Sequence, residues 1–188
     1  RPGVSFSVHP PSAPPESPSP RRRAAAWALA VLAALAGAAA SVGAAAAVVR
    51  TPNVEAELVA ERTALTPGRP LSVALRLKMR EGWHTYWLNP GDSGLPTTLD
   101  WTLPAGVTAG PIVWPAPHAV PAGPLVNYGY EGEVFHLVEL TPAATLAAGA
   151  PVTLGARADW LVCKETCIPE GADLSLTLPV AATSEADP

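Results

Sequence analysis

The sequence is poor in cysteine, with two in 188 residues, and nearly as poor in methionine (1), phenylalanine (2) and tyrosine (3). Two cysteines exclude a disulfide-stapled mini-protein, and a chain this long builds a core without staples. Charge is sparse as well. Charged residues make up 15% of the chain, the formal net charge is −4, and no basic stripe occurs outside Arg21, Arg22 and Arg23. The electrostatic footprint of a nucleic-acid binder is therefore missing. No internal repeat is visible. What is abundant is proline (23) and glycine (15), together about a fifth of the residues. Both disfavour long helices.

The chain starts at Arg1 rather than Met, which reads as a processed chain, a fragment or a misplaced start. Residues 1–20 hold Pro10, Pro11, Pro14, Pro15, Pro18 and Pro20 among serines, a composition that buries little and is expected to be disordered. The three arginines follow, then an uncharged run from Ala24 to Val49. Residues 21–47 read as a signal peptide: a basic start, an apolar centre densest between Trp27 and Leu35, and Ala-x-Ala frames at Ala44, Ala45, Ala46 and Ala47. A retained membrane anchor is the rival reading of the same run. Either way the residues beyond about 50 lie outside the cytoplasm, with the arginines inside. The expected location is the periplasm, where disulfide chemistry is possible.

The body, residues 50–180, reads as one all-β domain. Residues 71–79 alternate cleanly, with Leu71, Val73, Leu75, Leu77 and Met79 on one face and Ser72, Arg76 and Lys78 on the other. Residues 54–61 alternate more loosely and 173–180 alternate again, and further strands are expected over 83–88, 98–103, 112–114, 133–140 and 152–162. Turn signals separate them: Thr66-Pro67-Gly68, Glu81-Gly82, Asn89-Pro90-Gly91-Asp92-Ser93-Gly94 and Pro104-Ala105-Gly106. Residues 115–124 carry four prolines and are expected to be a semi-rigid loop. Seven or so short strands at this spacing predict an immunoglobulin-like β-sandwich, without the Cys…Trp…Cys spacing of antibody domains. Residues 181–188 are expected to be a flexible tail or linker.

Cys163 and Cys167 are separated by three residues, with a strand-like run on either side. A disulfide closing so short a loop constrains little of the unfolded chain, contributing roughly 2 kcal/mol. A staple would do better linking distant strands, so the spacing favours a pair that makes and breaks its bond. Lys164 favours a thiolate and Glu165 opposes it. Two alternatives stand beside exchange. Two soft sulfurs with one of His84, His118 or His136 suit copper(I), giving a copper-binding or copper-linked domain. An exported binding module with a structural disulfide would instead use Trp83, Tyr86 and Trp87 to line a carbohydrate groove. Read most simply, those aromatics are core and cross-strand residues, and the histidines are ordinary strand positions.

Four ordered motifs carry a resemblance. They are Trp83-His84-Thr85-Tyr86-Trp87 with Asn89-Pro90-Gly91-Asp92 and Gly94-Leu95-Pro96-Thr97; Trp114-Pro115 with Pro117; Tyr128-Gly129-Tyr130-Glu131-Gly132; and Trp160-Leu161-Val162-Cys163-Lys164-Glu165 with Cys167-Ile168-Pro169-Glu170. Together they resemble the N-terminal periplasmic domain of DsbD-type thiol:disulfide interchange proteins, in particular the ScsB-like branch.

The resemblance implies an immunoglobulin-like sandwich with a redox-active pair, one domain of a protein-disulfide reductase. It implies a thioredoxin-like domain as electron donor and a periplasmic disulfide isomerase or related thiol protein as acceptor. It also implies a membrane domain C-terminal to this chain, Cys167 as the partner-facing sulfur and Cys163 as the resolving one. A cap over the pair would come from Asn127, Tyr128 and Tyr130. Because the sulfurs carry the electrons, no cofactor and no metal are assigned. Two departures stand out: the best-known family members have five residues between the cysteines where this chain has three, and a cap phenylalanine where this chain has Asn127.

Overall fold

Alternation of apolar and polar residues commits the body to strands, because successive side chains of an extended chain point to opposite faces. A computed structural model describes Gly3 and residues 45–186. The chain divides into two units, Arg1–Ser41 and Val42–Pro188, and all the described strands belong to the second. The expected disordered tail (apart from Gly3), most of the signal-like run and the last two residues lie outside the described residues.

Twelve strands follow in order: β1 (Ala45–Ala46), β2 (Val49–Arg50), β3 (Val54–Ala60), β4 (Leu71–Met79), β5 (His84–Gly91), β6 (Thr98–Thr102), β7 (Val107–Val113), β8 (His118–Ala122), β9 (Leu125–Glu131), β10 (Glu133–Pro142), β11 (Val152–Cys163) and β12 (Cys167–Leu178). One sheet runs β1-β12-β11-β5-β9-β8, with β6 also on β11, and the other runs β2-β3-β4-β10-β7. The fold is an all-β, immunoglobulin-like sandwich of two antiparallel sheets, with no helix among the described residues.

The core lies between the sheets. Leu58, Leu75, Leu77 and Leu140 from one sheet meet Leu154, Leu176 and Leu178 from the other, all fully buried. Each such leucine contributes about 1.5–3 kcal/mol of burial. The period-two pattern of β10 is complete: Val134, His136, Val138 and Leu140 face in, while Glu133, Phe135, Leu137 and Glu139 face out.

The structure corrects the reading of residues 115–124. They are not all loop: His118–Ala122 is β8, with Pro121 in register against Val126 of β9. Proline survives there because, among the described strands, β8 ends its sheet, so none on its outer side needs the missing N–H. β9 itself is a strand that its glycine and tyrosine pattern did not announce. Residues 181–186, expected as a flexible tail, run back beside residues 62–65: the Ala181 N–H donates to Leu65 O at 2.9 Å and the Thr63 N–H to Glu185 O at 2.9 Å.

β11 and β12 form one long hairpin, paired without a register shift from Val152↔Leu178 to Cys163↔Cys167. The turn is Lys164, Glu165 and Thr166, with the Lys164 N–H donating to Thr166 O at 3.3 Å. Both strands are anchored by their inward rows, Leu154, Ala156, Ala158, Trp160 and Val162 on β11 and Ala172, Leu174, Leu176 and Leu178 on β12. A slip of one residue would turn these rows out to water, so the cysteines are held opposite each other by the core.

Candidate functional site

The hairpin register sets Cys163 and Cys167 face to face, with Cα atoms 4.1 Å apart, and they are joined as a disulfide. The two sulfurs sit in different surroundings. Cys163 is 2% exposed, whereas Cys167 is open to solvent, as are Lys164, Glu165 and Thr166 between them. Ile168, next to Cys167, is an exposed apolar side chain.

Cys163 is buried because β5 meets β11 at one register pair, Cys163↔His84. Strand alternation then places His84 and Tyr86 on one face and Thr85 on the other. Thr85 turns inward to Met79 of the opposite sheet, its hydroxyl 3.9 Å from the Met79 sulfur. Tyr86 reaches along the other face to the disulfide. Its hydroxyl donates to Cys163 Sγ at 2.9 Å and lies 3.6 Å from Cys167 Sγ. His84 Nε2 is 3.3 Å from the same hydroxyl, with the two rings edge to face. Burial raises the pKa of Tyr86, so it keeps its proton. Burial also lowers that of His84, against the opposing pull of Glu131 and with a small push from His118.

Tyr86 is itself covered by the turn after β5. Gly94 has φ +101°, and a Cβ there would lie 2.3 Å from the tyrosine ring. Only glycine lets the turn rest on the ring. The turn is tied down from β9: the Ser93 N–H and hydroxyl donate to Asn127 Oδ1 at 3.0 and 3.1 Å, and the Val126 N–H donates to Asp92 at 2.8 Å. Gly94→Ala is expected to lose about 2 kcal/mol from overpacking, read as a lower urea midpoint. An unchanged midpoint would show that the turn does not depend on this contact.

The residues named from the sequence fall in different places. Cys163 and Cys167 are together. Asn127 is buried and holds the turn over Tyr86, so the turn and Tyr86 both stand between it and the disulfide. Tyr128 is half-exposed, with its ring beside Gly91. Tyr130 pairs with Thr85 and turns to the core: its hydroxyl donates to Pro115 O at 2.8 Å and its ring meets His136 edge to face. Burial pushes the Tyr130 pKa up to about 12. Tyr86 is the site residue that residue-type reasoning passed over as core. The signal was the His-Thr-Tyr spacing, which puts both polar rings on one face of a strand.

An open groove of about 620 Å3 lies on the outer face of β11 and β12, beginning at the Leu161↔Pro169 pair two residues from each cysteine. Leu161 and Pro169 form its near floor, Asp159 and Gly171 its far floor, and Leu95 and Pro96 one wall. Gly171 leaves room for the backbone here, since a Cβ would lie 2.8 Å from the Ala158 carbonyl oxygen, a main-chain atom that cannot swing aside. Glu170 accepts a hydrogen bond from Asn53 at 2.7 Å and another from Thr51, tying the segment before β3 to the hairpin. Among the described residues no group of three or more His, Cys, Asp or Glu side chains is placed to hold a metal.

The fold and site define a class: an immunoglobulin-like β-sandwich that presents a disulfide at a hairpin tip, one sulfur buried and one exposed. The family profile described as the N-terminal domain of the thiol:disulfide interchange protein DsbD matches residues 55–179, and the chain belongs to that family. Among solved structures it is similar to the N-terminal periplasmic domain of ScsB from Proteus mirabilis, with 22% identity and a TM-score of 0.53. That match covers 69% of this chain and 49% of the other, so this chain spans about half the length of the ScsB structure. A fainter likeness, to the GAE domain of yeast GGA1, has 12% identity and a TM-score of 0.39 over 70% of this chain and 96% of that one. Comparison with curated proteins finds no match.

Proposed function

We propose that this chain is a periplasmic thiol–disulfide exchange domain that passes reducing equivalents through Cys163 and Cys167. The observation that carries the reading is the asymmetry of the pair: one sulfur buried under a hydroxyl donor, the other exposed beside an open groove. A donor thiolate attacks Cys167 Sγ, the Cys163–Cys167 bond breaks, and the electron pair leaves on Cys163. The Tyr86 O–H, 2.9 Å away, stabilises that leaving thiolate. A second donor thiolate then displaces Cys167, leaving a dithiol here and a disulfide on the donor. With an acceptor disulfide the same steps run in the opposite order. Cys167 attacks it, Cys163 attacks Cys167, and the acceptor departs reduced.

The donor in this reading is a thioredoxin-like domain, and the acceptor is a periplasmic disulfide isomerase or a related thiol protein. The groove over Leu161 and Pro169 receives the backbone around the partner's cysteine. Such partners suit the family to which the chain belongs. Equilibration with glutathione redox buffers tests the proposal. The pair is expected to have a potential above about −300 mV, within reach of exchange partners. A value well below that marks a structural disulfide and removes the reading.

A further inference from the structure

In the exchange reading, on which this inference rests, Cys163 has a difficulty that Cys167 does not. Once Cys167 is bonded to an acceptor, Cys163 must lose its proton to attack. Yet it is 2% exposed, so bulk water has almost no access to it. Two side chains stand in series from the sulfur: the Tyr86 hydroxyl at 2.9 Å from Cys163 Sγ, then His84 Nε2 at 3.3 Å from that hydroxyl, with His84 at 7% exposure nearer to water than Cys163. They line up because His84 opposes Cys163 in register and Tyr86 is two residues further along the same face of β5.

We propose that His84 takes up the proton of Cys163 through the Tyr86 hydroxyl when the acceptor is released. With its own proton on Nδ1, His84 offers the Nε2 lone pair to the Tyr86 O–H, and Tyr86 offers its oxygen to the Cys163 S–H. The Cys163 proton passes to Tyr86 as the Tyr86 proton passes to His84. The bond from Cys163 Sγ to Cys167 Sγ forms, the bond from Cys167 Sγ to the acceptor sulfur breaks, and the electron pair leaves on the acceptor as a thiolate. The His84 imidazolium then gives its proton to solvent. In the direction that reduces this domain, the same path returns a proton to Cys163. Tyr86 touches the reacting sulfur, whereas His84 acts only through it.

The groups around His84 suit this task. Glu131 of β9 stands opposite it in register and favours the imidazolium once formed. His118 of β8, 3.7 Å from the Glu131 carboxylate, opposes it. Cys163 faces it from β11, Tyr86 from its own strand, and Lys164 of the hairpin tip lies beside Gly82, two residues before it. Burial keeps the imidazole neutral near pH 7, ready to accept.

A single-turnover reaction of the reduced chain with one equivalent of 5,5′-dithiobis(2-nitrobenzoate) separates the steps. The first release of thionitrobenzoate reports attack by Cys167, and the second reports closure by Cys163. In the wild type the second phase is expected to slow on acidification through an inflection below the usual histidine value. His84→Gln keeps a partner for the Tyr86 hydroxyl but takes no proton at these pH values. The ratio of second to first phase is expected to fall about tenfold or more at pH 7, with the inflection gone. Tyr86→Phe keeps the ring under Gly94 and is expected to show the same loss. A wild-type ratio and pH profile in both variants overturns the relay. Absence of the first phase in the reduced wild type overturns the exchange reading itself, a separate outcome.

Discussion

Cys163→Ala is expected to accumulate a stable mixed disulfide through Cys167, and Cys167→Ala to accumulate almost none. Each reduced variant carries a single thiol in the same hairpin, so the comparison isolates access and environment. Cys167 is exposed beside the groove, whereas Cys163 lies at 2% exposure beneath Tyr86 and the turn that Gly94 seats on that ring. Thiol–disulfide exchange needs the attacking and attacked sulfurs in line, which a buried thiol reaches only by local opening. An opening that costs about 3 kcal/mol slows such a reaction roughly 100-fold. The glutathione adduct formed with excess glutathione disulfide, followed by mass spectrometry, measures both rates. An adduct forming on Cys163 as fast as on Cys167 would reverse the assignment of roles. The hairpin gives the same reason for the persistence of the first adduct: with Cys163 gone, no other cysteine exists in the chain to resolve it.

The second large effect is loss of stability in mild acid, driven by His136. This residue is 0% exposed on the inward row of β10, with Trp114 and Tyr130 edge to face against it at 4.9 and 5.3 Å. Neither ring nitrogen has a hydrogen-bond partner among the described residues. Burial lowers its pKa from 6.5 to about 4. Between those values the unfolded chain binds a proton here that the folded chain refuses, so stability falls as pH falls. The contribution is complete above about pH 6.5 and lost by about pH 4, a span of about 3 kcal/mol. His84, also lowered by burial, adds to the same slope. Urea unfolding at intervals from pH 7 to pH 4 measures it. His136→Leu fills a similar volume without the orphaned nitrogens and is expected to remove most of the acid slope without loss of stability at pH 7. An unchanged slope in that variant would place the acid sensitivity elsewhere.

The readable parts of this fold share a cause. β3, β4, β10 and the outer halves of β11 and β12 each have one wet face and one dry face, so their strand character is written in residue order. β8 and β9 escaped notice for the opposite reason. Proline in an edge strand and glycine at positions 129 and 132 look like punctuation until the edge and the close backbone approach are known. A Cβ at Gly129 would lie 2.0 Å from Thr85 O, a constraint between strands more than forty residues apart that no local pattern carries. The tyrosines divide along the same line. Tyr128 and Tyr130 stand in a conspicuous glycine-flanked motif, whereas Tyr86, inside an aromatic run, reaches the sulfur.

Sequence alone determined the all-β sandwich, the family and the cysteine pair, because alternation, ordered motifs and three-residue spacing are all local. Tertiary structure decided which sulfur is buried, what touches it and what covers that contact. Those facts depend on one register pair between β5 and β11, residues 84 and 163, and on a turn pinned by a third strand. Side-chain chemistry is set by neighbours in space. In a sandwich whose strands pair across long gaps in the chain, those neighbours come from the packing of the sheets and not from the order of residues.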